Sequence, residues 1–193
     1  MTTIDIGSKR GVLDAILRSD LYAFTQKVFP IVSGGDAFMP NWHIEAITCA
    51  LDEVMSGESS RLIINVPPRS LKSICTSVAF PAFVLGHDPT RRIICVSYAA
   101  GLACKYANDR RAVMRSPFYQ RLFPGTRISA VKDTELEIMT TARGFCYATS
   151  VGGTLTGRGG NLIIIDDPMK PQDAYSDIAR ENEKQWYANT LLT

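Results

Sequence analysis

The sequence predicts an α/β fold in which a mostly parallel sheet is flanked by helices, and three observations support that expectation. Apolar runs suited to buried strands, at residues 61–66, 92–98 and 162–165, alternate with segments of helical spacing, the pattern of a parallel sheet covered by helices. The first run enters a tight loop that ends in Lys72-Ser73. The last ends in two acids, Asp166-Asp167, and open α/β sheets place their ligand sites at the carboxyl ends of strands.

Taken in order, residues 11–29 have apolar side chains at Val12, Leu13, Ile16, Leu17, Leu21, Phe24 and Val28, which predicts one helix ending at Pro30. Ser33-Gly34-Gly35-Asp36 reads as a loop, and a second helix over 42–55 is closed by Ser56-Gly57. The strand at 61–66 feeds a helix from Lys72 that Pro81 should bend or end. After a turn at His87-Asp88-Pro89 come a strand at 92–98 and a helix at 101–115 that Pro117 stops. Residues 135–138 and 144–147 flank Thr141-Ala142-Arg143 as a hairpin. The acidic strand follows, and a last helix runs from about Asp173 to the end. Residues 1–40 form a helical lead-in, and 41–193 form the core.

A chain of 193 residues with 46% hydrophobic content is one domain with a sizeable core. With 21 basic and 19 acidic residues there is no global cationic field, so any nucleic-acid contact must be local. Arg91, Arg92, Lys105, Arg110, Arg111, Arg115 and Arg121 form such a zone. It either tracks phosphates without reading bases or is an ordinary solvated helix face. The five cysteines are odd in number and lack CxxC spacing, which reads as reduced core residues. Two histidines make a histidine-based metal site unlikely to be built, and no apolar run of 18 residues suggests a membrane span.

The usual phosphate loop reads GxxxxGK[ST], with amides around the phosphates, lysine on the outer phosphates and the hydroxyl on magnesium. Here Lys72 and Ser73 are kept, while Val66 and Leu71 stand where the glycines belong. About ninety residues on, Asp166 at a strand end is placed to contact Mg2+ directly or through water, and Asp167 to orient or deprotonate an attacking water. The alternative is a buried strand entering a turn.

Four local features together resemble the amino-terminal ATPase region of tailed-bacteriophage terminase large subunits, motors that drive viral DNA into a procapsid. They are Trp42-His43, Val66-Pro67-Pro68-Arg69-Ser70-Leu71-Lys72-Ser73, the stretch from Gly152 to Gly159, and Ile163-Ile164-Ile165-Asp166-Asp167-Pro168. The resemblance implies a P-loop NTPase core of the RecA/ASCE-like type, with Walker A and Walker B elements and with ATP and Mg2+ as cofactors. Pro67, Pro68, Arg69, Ser70, Leu71, Lys72 and Ser73 would form the nucleotide loop, with Arg69 adding charge at the phosphates. Ser73 and Asp166 would hold the metal, Asp167 would be the catalytic carboxylate, and Trp42 and His43 would sit near the adenine. Arg158 would act as an arginine finger on a neighbouring subunit's γ-phosphate, its alternatives being a DNA-backbone contact or a solvated loop cation.

Two departures stand out: Leu71, where members commonly have glycine, and Asp167, where many have glutamate. The implied partners are double-stranded viral DNA, the portal protein, the small terminase subunit and further copies in a homo-oligomeric ring, with no membrane. The implied location is the cytoplasm of a bacterial host, transiently at the procapsid portal, for a phage- or prophage-encoded protein. Family members continue into further core strands and a nuclease domain, so the core is expected to be incomplete at Thr193, a fragment or truncated reading frame without nuclease activity. The rival readings are a helicase-like nucleic-acid ATPase and a non-catalytic nucleotide- or DNA-binding remnant.

Overall fold

The computed structural model describes residues 8–191 apart from 154, 156 and 171. It is an α/β structure with a five-stranded sheet flanked by helices. The expected helix over 11–29 is two helices, α1 (Lys9–Ser19) and α2 (Leu21–Val32). Asp20 separates them in an extended conformation, and its carboxylate caps α2 by accepting the Ala23 N–H. Pro30 lies inside α2 instead of ending it. Helix α3 (Trp42–Ser56) is closed by Gly57 at φ 86°, the left-handed cap anticipated from Ser56-Gly57.

Residues 61–66 do not form the expected strand. They run without backbone hydrogen bonds to any strand among the described residues. Residues 61–65 face strand β5 (Leu162–Asp166) across a cleft of about 1030 Å³. Strand β5 is a sheet edge, paired only with β1 (Arg92–Ser97). An apolar run becomes a strand only where a partner ladder satisfies its amides, and here the two edges face each other unpaired.

The helix after the loop starts at Lys72 and is wide-turned, a π-helix over Ile74–Ala79, before it continues as α4 (Phe80–His87). Pro81 therefore does not stop the helix; it sits just beyond the π-to-α change. Helix α5 (Ala100–Arg115) follows β1, and Pro117 opens α6 (Pro117–Leu122) instead of merely stopping α5. Ser116 Oγ accepts the Tyr119 N–H there, and proline at the first helical position loses no hydrogen bond.

The sheet is mixed, which corrects the expectation of a mostly parallel one. Its order is β2-β3-β4-β1-β5, with β2 at Ile128–Asp133, β3 at Glu137–Thr140 and β4 at Phe145–Ser150. Strand β1 pairs in parallel with β4 and β5, whereas β2-β3 and β3-β4 are antiparallel. The β3-β4 hairpin is the one expected, shifted by one or two residues. Strand β2 was not anticipated, because its residues alternate weakly and Val131 is exposed.

One face of the sheet packs against α2 to α6 around Phe24, whose ring lies 5.3–6.3 Å from those of Phe83, Phe118, Tyr119 and Phe123. The other face carries Ile94, Val96 and Leu155 against Trp186 of α7 (Asp177–Trp186). The expected carboxy-terminal helix is broken, with a 3-10 turn at Asp173–Tyr175 before α7 and a π segment at Tyr187–Leu191 after it. All five cysteines are free; Cys75, Cys95 and Cys146 are buried as expected of core residues, and Cys49 is exposed. No helix among the described residues is long and apolar enough to cross a membrane.

Candidate functional site

Loop 66–73 carries two left-handed residues, neither of them glycine. Arg69 and Leu71 have φ of 66° and 60°, with Ser70 between them on the ordinary side. Successive residues of alternating hand turn their N–H groups into one concavity, a nest suited to anions. The Ser70 hydroxyl donates to the Pro67 carbonyl, and His43 Nε2 lies 3.2 Å from the Ser70 carbonyl, so α3 braces the loop. Arg69 is exposed and makes no ion pair among the described residues.

The loop delivers Lys72 to the carboxyl end of β5. Lys72 Nζ lies 3.2 Å from Asp166 Oδ1 and donates to Asp167 Oδ1, a residue 95 positions away. Burial opposes the Lys72 charge, but the hydrogen bond from Lys72 to Asp167 and the charge of Asp166 outweigh it, holding the ammonium above its ordinary range. Asp166 is buried at 3% exposure, whereas the Asp167 side chain is 59% exposed with φ 47°. The expected grouping of Lys72, Asp166 and Asp167 is thus one cluster at a strand end.

Asp166 Oδ1 is buried, with Lys72 as its ion-pair partner. Tyr106 on α5 feels the charges of Asp166 and Asp167. Burial pushes the Tyr106 phenol up, so it stays protonated. No group of three or more His, Cys, Asp or Glu side chains is arranged as a metal cage among the described residues. A buried carboxylate at the end of a strand, ion-paired with a lysine, fits Mg2+, which keeps waters and shares its shell with phosphate oxygens; it does not fit an all-protein metal cage.

Trp42 is 77% exposed at the start of α3, its ring perpendicular to that of His43 at 6.1 Å. Both thus lie at the loop side of the molecule, with an aromatic face free. Pro67 and Pro68 are exposed in the loop.

The structure does not bring Arg158 to this cluster. Its Nη1 lies 2.8 Å from Glu137 Oε2 and its guanidinium covers the Tyr147 ring at 4.1 Å, over β3 and β4 and away from β5. In the preceding glycine-rich stretch, Gly152 and Gly157 take φ of 79° and 78°, while Thr154 and Thr156 lie outside the described residues.

In the basic zone, Arg91 and Lys105 pair with the neighbouring Asp88 and Asp109, and Arg111, Arg115 and Arg121 with the sequence-distant Asp133, Asp133 and Asp14. Arg110 is buried.

Three residues of the site have no motif to announce them: Ser77, Tyr106 and Arg110. Ser77 Oγ donates to Asp166 Oδ2 at 3.3 Å, and Arg110 Nη1 donates to the Ser77 carbonyl at 2.7 Å. Only Ser77, one turn beyond Ser73, had a positional signal. Compared with protein-family models and with curated proteins, the chain matches none.

Proposed function

We propose that the chain is an ATP-hydrolysing P-loop protein whose site is loop 66–73 with Asp166 and Asp167. The convergence of Lys72 on both acids supports this reading most strongly, because it joins a phosphate-binding cation to the end of an acidic strand. In the reaction, a water oxygen attacks the γ-phosphorus, the bond to the β–γ bridging oxygen breaks, and the water proton passes to Asp167. Lys72 and Arg69 neutralise charge on the transferring group, and the nest of amides around Ser70 holds the preceding phosphates. Asp166 and Ser73 would hold Mg2+, which when bound supplies charge neutralisation across the β- and γ-phosphates. The Asp167 carboxylate engages Lys72, so a phosphate would compete with an internal anion for that ammonium.

Movement of duplex DNA, a portal, a small subunit and a ring in a bacterial host follow from the terminase resemblance. A free cationic stripe does not support them. An Arg158 finger acting on a neighbouring copy would first have to leave Glu137 and Tyr147.

Steady-state phosphate release, with and without duplex DNA, tests the reading. Lys72→Ala and Asp167→Ala should each lower kcat by about 100-fold or more, the scale of losing a charge clamp or a positioned base. Turnover unchanged by both substitutions would remove the site assignment, and nucleotide binding without turnover would favour the non-catalytic remnant. Single-strand stimulation with strand separation would favour the helicase-like reading.

A further inference from the structure

We infer that Ser77 is a positioning residue that fixes the Asp166 carboxylate for metal-nucleotide binding, with the buried Arg110 holding the Ser77 backbone in place. The inference rests on the nucleotide reading of the site. It begins with the backbone of Ser77, whose carbonyl accepts from the buried Arg110 Nη1 at 2.7 Å.

Arg110 is fully buried, and its Nε and Nη2 have no hydrogen-bond partner. Its remaining polar contact is the Cys95 sulfur at 3.6 Å. A guanidinium kept in so poor an environment is expensive; the Ser77 carbonyl is its one close oxygen among the described contacts.

The wide π turn over Ile74–Ala79 then sets the direction of the side chain. All five residues from Cys75 to Ala79 are buried, and π segments inside helices frequently mark functional sites. Thr76 Oγ1 donates back to the Lys72 carbonyl at 3.0 Å and lies 3.5 Å from Ser77 Oγ. Ser77 Oγ, at 2% residue exposure, donates to Asp166 Oδ2 at 3.3 Å. That bond is long for a hydroxyl on a carboxylate.

The terminal torsion of aspartate is soft, with no sharp rotamer wells. With Oδ2 tied to the helix, Oδ1 is left directed at Lys72, its ion-pair partner at the mouth of the site. One carboxylate oxygen is thereby anchored and the other presented.

Mn2+ in the presence of ADP, followed on the full chain by electron paramagnetic resonance, tests this. Ser77→Ala should weaken Mn2+ retention by about 10–100-fold, the usual cost of removing a partner behind a ligand, with ADP affinity in EDTA changed by less than about twofold. Ser77→Thr, which keeps the hydroxyl, should stay near wild type, and thermal unfolding checks that each variant is folded. Mn2+ retention by Ser77→Ala equal to wild type would overturn the inference alone. So would a parallel loss of metal-free ADP binding in Ser77→Ala, which marks a general structural role. A wild-type chain that binds no Mn2+ with ADP would overturn the nucleotide reading and this inference together.

Discussion

Leu71 holds the left-handed conformation that glycine usually supplies at the end of a phosphate loop, with φ 60°. An L-residue there costs roughly 1–2 kcal/mol, and Arg69 and Asp167 add similar strain at the same site. Leu71 also packs partly against the core, which offsets some of that cost. Leu71→Ile keeps the volume but branches at Cβ, so urea unfolding should show it less stable by about 1–2 kcal/mol. Leu71→Gly should stay within about 1 kcal/mol, because relieved strain is offset by chain entropy and lost burial. Equal stability of Ile and Leu at this position would refute the strain. The sequence shows that glycine is missing, but only the backbone shows that the glycine-like turn is retained. Lys72, Asp166 and Asp167 were legible because each sits at the boundary of an element, whereas Ser77 and Arg110 act through contacts between elements distant in sequence.

At the scale of elements, the links between helices were the least legible. Periodicity over 11–29 continues through Asp20 although Leu17 alone of the apolar series in α1 is buried, Val12, Leu13 and Ile16 being exposed, so a cap rather than a change of period marks the break. The run at 61–66 has strand composition but no ladder; composition reports burial and cannot report pairing. Helix α1 is tied to α6 by Asp14, which accepts from Arg121 Nε and Nη2 at 2.7 and 2.9 Å. The hydrogen bond from Arg121 holds the Asp14 carboxyl below its ordinary value of 3.8. A lowered carboxylate adds stability above its unfolded pKa and loses it as pH falls through the folded one. Arg121→Ala should therefore cost about 0.5–1 kcal/mol near neutral pH, the range of a partly exposed pair, and progressively less below pH 3.8. Chemical unfolding at several pH values measures this; a difference independent of pH would assign the loss to packing alone.

Over the whole molecule, the α/β class and the placing of acids at a strand end were readable from alternation, while the mixed sheet was not. An antiparallel hairpin beside a parallel unit leaves the same strand-like runs as an all-parallel order. Part of the surface charge was equally hidden, since Asp14 and Asp133, distant in sequence, pair with Arg111, Arg115 and Arg121. What the fold does concentrate is a cleft of about 1030 Å³ with Lys72, Asp166 and Asp167 among its lining residues. The central claim is that this cluster and loop 66–73 recognise the phosphates of a nucleotide. Calorimetric titration of the full chain with ATP and AMP in Mg2+, repeated on Lys72→Ala, tests it most directly. ATP should bind at least about 10-fold more tightly than AMP, with that preference lost in Lys72→Ala, because each tenfold step is only about 1.4 kcal/mol of charge-assisted contact. Equal binding of ATP and AMP, or an ATP preference that survives Lys72→Ala, would contradict it.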